Sequence, residues 1–246
     1  MMILLLFILG AVAGSVANAL VYRLPRGISW FSGHSFCPKC KHNLSFWDLV
    51  PIASYLMLRG KCRYCRSPIA KRYLWVELLI GVGFVLIFNF QFSIFNLGIF
   101  WIMTVIAVMD WETQLVSDLM VFLWFILVLI EKFSIFNFQF SINNLIFNFS
   151  NPFFGLLIGL VSIGGIWLIT KKKAMGSGDI GIAGVTGLWL GWPKILTGLW
   201  IAFVMGGVFG AYLLITKKAS MKTAVPFGPF LILGGWIAYT LNYGIF

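Results

Sequence analysis

Apolar residues in this chain neither alternate strictly nor recur in a narrow helical stripe. They come in long runs separated by short polar segments. Eight runs stand out, at about 2–22, 73–92, 97–110, 117–134, 152–170, 180–193, 195–216 and 226–244. A run that is apolar on every side, near the ~20 residues a helix needs to cross a bilayer, predicts a membrane-spanning helix. The third and sixth runs are short, which predicts helices that tilt or that break where they meet polar groups. The first run has no basic segment ahead of it and no charge before Arg23, so it is expected to stay in place as a span and not be removed as a signal peptide. The predicted fold class is an all-α polytopic membrane protein of about eight transmembrane helices. Its predicted parts are a first span at 1–22, a basic loop at 23–72 and a membrane core at 73–246.

Composition agrees. The 246 residues are 61% hydrophobic and 10% charged, with a mean hydropathy of +0.97, more apolar surface than a soluble domain of this length can bury. The net charge of +11 invites a nucleic-acid partner, but the placement of the cations argues for a lipid bilayer and against nucleic acid. Ten of the 18 Lys/Arg lie between Arg23 and Arg72, where Asp48 is the only acid. Six more are Lys171, Lys172, Lys173, Lys217, Lys218 and Lys222, again beside apolar runs. With the Arg23–Arg72 loop inside, only Lys132 and Lys194 fall outside, so 16 of 18 cations obey the positive-inside rule. Both chain ends are then outside, and the segments around Asp110–Asp118 and Lys171–Asp179 are inside.

The octapeptide Ile-Phe-Asn-Phe-Gln-Phe-Ser-Ile occurs at 87–94 and again at 135–142. Both copies fall at predicted outer ends of spans, where low-complexity insertion is tolerated, and no function is assigned to them. Doublets such as Gly164-Gly165, Gly206-Gly207 and Gly234-Gly235 are expected at close helix crossings.

The chain has four cysteines, in Cys37-Pro38-Lys39-Cys40 and Cys62-Arg63-Tyr64-Cys65, with 21 residues between the pairs. Each pair supplies two sulfurs from one tight turn, close to the spacing of a four-thiolate zinc site. Two disulfides are the alternative, disfavoured in a reducing cytoplasmic loop. Lys39, Lys41, Lys61 and Arg63 would help keep the thiols ionised and offset a site charge of about −2. Four thiolates leave no open position, so the zinc is expected to be structural. His34 and His42 flank the first pair and read as loop residues.

Seven acids are left to carry chemistry. Asp48 in the loop and Glu131 at an outer span end need no special role, and Glu77, near Lys71 and Arg72, is expected in an interfacial ion pair. Asp110, Glu112 and Asp118 follow the apolar run 99–109, and Asp179 opens another. An ionisable group at a span end, facing the inside of a bundle, is a candidate functional residue because burying it is costly. Asp179 closes Gly176-Ser177-Gly178-Asp179, whose glycines permit a close approach of backbones. Beside a second carboxylate it could share a proton and activate water; alone it could simply cap a helix.

In order along the chain, several segments resemble the type IV prepilin peptidases, of the broader Gly-x-Gly-Asp group of membrane aspartyl proteases. They are Gly14–Asn18 with Tyr22–Pro25, Pro51–Tyr55, Leu58–Cys62, the two cysteine pairs, Asp110–Asp118, Gly176–Asp179 and Pro226–Pro229. Ser117 stands where the family usually has proline. The resemblance implies that Asp110 and Asp179 form a catalytic dyad, with Gly176, Gly178, Glu112 and Asp118 in support. It implies an enzyme of the bacterial inner membrane, acting at the cytoplasmic face on type IV prepilin or pseudopilin precursors. It also implies that a short basic leader is removed after a glycine. It further implies methylation of the new N-terminus from S-adenosylmethionine, though no segment here identifies a donor site. An ion-coupled transporter would use the same acids as relays, and an assembly scaffold would use the cysteine loop for docking.

Overall fold

The computed structural model describes residues 1–30, 33–90, 93–138, 142–172, 175–217 and 225–241, with the backbone alone at 135–138 and 142–150. Part of each octapeptide copy, together with Lys173, Lys218 and Lys222, lies outside the described residues.

The described chain is helical: α1 Met2–Arg23, α2 Ala53–Met57, α3 Arg72–Asn89, α4 Phe95–Thr113, α5 Asp118–Phe138, α6 Ile142–Ile169, α7 Ser177–Leu190, α8 Lys194–Ile215 and α9 Gly228–Leu241. Short 3-10 turns occupy Leu24–Arg26 and Phe46–Leu49. A helix coincides with each of the eight apolar runs. Among the described residues, five stretches are both long and apolar enough to cross a membrane: Met2–Arg26, Arg72–Asn89, Phe95–Thr113, Asn151–Ile169 and Lys194–Ile215.

Two boundaries differ from the expected ones. The third run is not a short helix. It continues through Trp111-Glu112-Thr113 and stops where Gln114 takes a positive φ of 54°. The fifth helix starts ten residues before the predicted 152, with Pro152 inside it. Proline lacks the N–H that would bond back into the helix, and the Asn151 carbonyl accepts the Trp192 N–H from another segment at 3.0 Å. The sixth run is short as expected, since α7 has 14 residues. At 1.5 Å per residue it reaches about 21 Å, less than the ~30 Å hydrocarbon core.

The chain divides into two compact units, Met1–Val105 and Ile106–Phe246, the boundary falling inside α4. In the first, α1 packs against α3. A Cβ on Gly10 would come 2.7 Å from the Ile80 carbonyl, and one on Gly14 2.7 Å from Glu77 Cα, so only glycine allows this crossing. Asn18 reinforces it, its Nδ2 donating to the Tyr73 carbonyl at 3.0 Å. Among the described residues Glu77 makes no ion pair, contrary to the interfacial pair expected of it. It is buried, and its Oε2 accepts the Ile52 backbone N–H at 2.7 Å, tying the loop to α3. The reason is its position one helical turn inside Arg72–Tyr73, where the tight glycine crossing leaves it facing α1 and the loop.

In the second unit α7 is the core, packed by α5, α6, α8 and α9 and buried from Ile182 to Leu190. Met120, Trp124 and Val128 of α5 repeat every four residues and are buried. Trp189 stacks on Tyr239 of α9 at 4.3 Å. The closest crossing is α6 on α7: a Cβ on Gly155 would meet the Gly187 carbonyl at 2.2 Å, and one on Gly159 the Ala183 carbonyl at 2.2 Å. The doublets therefore behave unequally. Gly234 sits 2.4 Å, by its Cβ position, from the Gly198 carbonyl, whereas Gly165 and Gly207 have nothing within 4 Å. Close packing uses single glycines spaced along one face, because only those face the neighbouring helix.

Candidate active site and metal centre

Two elements of the second unit bring Asp110 and Asp179 into the same buried region. Asp110 is in the last turn of α4 and Asp179 in the first turn of α7, and both side chains are buried. Gly228 borders both elements, its Cβ position lying 3.0 Å from Ile182 Cδ1 of α7 as well as against Asp110. Burial of two carboxylates in a protein interior is costly unless each is hydrogen-bonded.

Each is held by a backbone N–H at the start of a helix. Asp179 is the third residue of α7, and its Oδ2 accepts the N–H of Gly176, the N-cap, at 3.1 Å. Asp110 Oδ2 accepts the Gly228 N–H at 3.1 Å, at the first residue of α9. The N-terminal ends of both helices carry partial positive charge from unsatisfied N–H groups, which favours negative charge beside them. A Cβ on Gly228 would lie 2.7 Å from Asp110 Oδ2, so the approach needs glycine. Gly178 is similarly constrained: a Cβ there would lie 2.6 Å from Val116 Cβ, in the segment between α4 and α5. Among the described residues neither carboxylate makes a hydrogen bond through its other oxygen, Oδ1.

Gly176, Gly178 and the two aspartates thus belong to one neighbourhood, while Glu112 and Asp118 do not share its burial. Both are exposed, flanking the turn that follows α4. Gly228 was not among the expected site residues. Its signal in the sequence was Gly228-Pro229 opening an apolar run, which marks a helix start but not the carboxylate it meets.

The first unit holds a second cluster. The Sγ atoms of Cys37, Cys40, Cys62 and Cys65 all lie within 4.8 Å of one another, and none of the four is in a disulfide. Two matching turns produce this. In the first, Cys37 N–H donates to the His42 carbonyl at 2.9 Å and Lys41 takes a φ of 60°. In the second, Cys62 N–H donates to the Ser67 carbonyl at 2.8 Å and Arg66 takes a φ of 55°. The Ser67 hydroxyl, 3.1 Å from Cys65 Sγ, and its backbone bring the Cys65 thiol down to about 6. Four sulfurs so grouped fit the donor set and spread of a tetrahedral zinc with bonds of about 2.3 Å. His42 lies outside the sulfur group and sits against Tyr64, with ring centroids 3.7 Å apart and planes tilted by 38°.

Asp48, expected to be an ordinary loop residue, ties the 3-10 turn Phe46–Leu49 to the second cysteine turn. Its Oδ2 accepts the Ser45 N–H at 3.1 Å and hydroxyl at 2.9 Å, a capping box on the 3-10 turn. Its Oδ1 pairs with Arg63 Nε at 2.7 Å, and Tyr64 Oη donates to Oδ2 at 3.1 Å. Arg63 and Tyr64 lie between the second pair of cysteines. Burial opposes ionisation of Asp48, but the hydrogen bonds from Ser45, Arg63 and Tyr64 outweigh it and hold its carboxyl below the usual range. The pattern Ser45-x-x-Asp48 was the available signal.

Comparison with known proteins gives a consistent result. Residues 8–91 match the family described as the bacterial peptidase A24 N-terminal domain, and residues 97–211 match the type IV leader peptidase family. The chain is 30% identical to a prepilin leader peptidase/N-methyltransferase of Stutzerimonas stutzeri, over 96% of this chain and 89% of that protein. It is 31% identical to one from Legionella pneumophila, over 92% and 86%, and 29% identical to one from Neisseria gonorrhoeae, over 96% and 89%. No solved structure matches it.

Proposed function

We propose that this chain, which belongs to the type IV leader peptidase family, is a membrane aspartyl endopeptidase that removes the leader from type IV prepilin or pseudopilin precursors, with Asp110 and Asp179 as its catalytic pair. The observation that carries this reading is the burial of two carboxylates on adjoining helix ends, each fixed by one backbone N–H through Oδ2. Two carboxylates side by side cannot both ionise freely, so one carboxyl holds a proton while the other acts as base. The base takes a proton from water, which attacks the scissile carbonyl. The protonated partner polarises that carbonyl and then protonates the leaving amine. Gly176 and Gly228 keep the two carboxylates from rotating, so that the Oδ1 atoms face the reaction.

On this reading all eight helices other than the short α2 cross the inner membrane, with α7 and α9 spanning only part of it. The loop between α1 and α3 and the catalytic pair then lie toward the cytoplasm, in agreement with the distribution of cations. The parts of the chain take separate roles, with the α1 span and its basic loop at 23–72 preceding a catalytic core at 73–246. Glu112 and Asp118, exposed beside the dyad's elements, are the acids suited to meet a basic leader. Cys37, Cys40, Cys62 and Cys65 hold a structural zinc, which cross-links the two turns of the loop. The relatives' name includes N-methyltransferase, and we extend that activity to this chain. S-adenosylmethionine would be the methyl donor, but no grouping among the described residues assigns it a place, so this half rests on the relatives alone.

The test is cleavage of a synthetic pilin-like precursor in proteoliposomes by wild type, Asp110→Asn and Asp179→Asn. Loss of cleavage in each variant, with the folded protein retained, is the expected result. Normal cleavage by either variant removes the dyad and brings the transporter and scaffold readings forward.

A further inference from the structure

The loop between α1 and α3 displays large apolar side chains that its own fold does not cover. Phe46 is 77% exposed and Trp47 72%, on the 3-10 turn Phe46–Leu49, and Leu56 is 61% and Met57 82% exposed on α2. That turn and α2 are in contact, so the four side chains come from adjoining elements. Around them the loop is of one sign. Between residues 24 and 71 there are eight Lys/Arg, all exposed, against a single acid. The acid is Asp48, whose side chain is 3% exposed and already spent on Arg63. The loop therefore presents positive charge and aromatic surface, with no exposed acid.

Left in water, such a surface would be a liability, because exposed apolar clusters of this kind drive association. Two features say what covers it. The loop starts and ends at helices that pack against each other, α1 ending at Arg23 and α3 starting at Arg72, so it is held close to one end of that helix pair. Its beginning is also folded back: Arg23 donates to the carbonyls of Ser29 and His34 at 3.3 and 3.1 Å, and Arg26 to that of Tyr22 at 2.8 Å. Its charge also rules between occupants. A basic leader peptide is repelled by it, whereas anionic lipid headgroups are attracted, and tryptophan with long cationic side chains is the composition favoured at the headgroup layer.

We propose that this loop docks on the membrane surface, with Phe46, Trp47, Leu56 and Met57 in the headgroup layer and the surrounding cations on anionic headgroups. The docking would hold the two cysteine turns against the membrane plane. It needs α1 and α3 to span the bilayer but does not need the chain to be a peptidase, and its test makes no use of cleavage.

The experiment uses the full chain in phosphatidylcholine vesicles, with and without phosphatidylglycerol. Because the chain has 11 tryptophans, the Trp47 signal is taken as the difference between wild type and Trp47→Phe, a change that keeps the aromatic contact it reports on. In vesicles with phosphatidylglycerol, that component is expected to be quenched by lipid brominated near the headgroup and shielded from acrylamide. The shielding is expected to be lost without the anionic lipid, and to weaken at high salt. Quenching by acrylamide and not by the brominated lipid places the surface in water and overturns the proposal. Shielding from both means that protein covers it, a second copy or a substrate, and also overturns it. Equal protection in phosphatidylcholine alone refutes the part assigned to the cations.

Discussion

Gly228→Ala isolates the contact between α9 and the candidate dyad. Gly228 is helical, and positive φ among glycines is confined to Gly27, Gly33, Gly60 and Gly191 within the described residues, so alanine brings no backbone strain. What it brings is a Cβ 2.7 Å from Asp110 Oδ2 and 3.0 Å from Ile182 Cδ1. The isoleucine methyl ends a flexible side chain and can rotate away. The carboxylate cannot do so without losing its hydrogen bond, and reaching ordinary contact requires it to move by about 0.7 Å. A misplacement near 1 Å at a reacting group costs on the order of 100-fold in rate, so a loss of about 10- to 100-fold in kcat is expected. Substrate binding along the helices is unaltered, so KM should change little. Single-turnover cleavage of a precursor in proteoliposomes measures the step directly. Gly207→Ala, where nothing lies within 4 Å, serves as the control and should cleave normally. If Gly228→Ala retains the wild-type rate, Asp110 is not held by α9 in the way described. If its loss appears in KM alone, the contact serves binding and not the positioning of the carboxylate.

Cys62→Ser should remove the single zinc expected per chain, because three thiolates beside a serine no longer make the closed shell; metal analysis of the purified protein gives the stoichiometry directly. Asp48→Asn should loosen the 3-10 turn and the second cysteine turn, by about 1 kcal/mol for the lost cap and charge, seen as faster hydrogen exchange of loop amides in metal-free protein. The pH dependence has a fixed sign. The folded Asp48 carboxyl sits below its unfolded value near 3.9. Its contribution is therefore complete above the ordinary carboxylate range and lost as pH falls through the lower folded value, and the difference between wild type and Asp48→Asn should close at that acid end. Gly187→Leu should prevent α6 from closing on α7, since even a Cβ there would lie 2.1 Å from the Gly155 carbonyl. Thermal unfolding in detergent should then start well below that of wild type, and equal stability would mean that the crossing is not as close as drawn.

Much of this protein was determined by its sequence alone. Hydropathy placed a helix on every one of the eight apolar runs, because in lipid a chain segment has few ways to satisfy its own backbone other than to coil into a helix. Spacing marked out four cysteines as a single group, since two tight turns of the same form deliver sulfurs in pairs. Asp110 and Asp179 were legible as unusual acids, the one after a long apolar run and the other behind two glycines. Tertiary structure decided which partners these groups met. Gly228 lies 118 residues from Asp110, and no local pattern couples a helix start to a carboxylate that far away. Glu77 looked interfacial beside Lys71 and Arg72, yet the glycine crossing of α1 on α3 turned it toward Ile52. Asp48 looked idle until the loop closed and brought Arg63 and Tyr64 to it. Local sequence fixes which hydrogen bonds a backbone makes with itself. Long-range contacts depend on which faces of different helices can approach, and that is set by packing at a few glycines whose neighbours the sequence does not name.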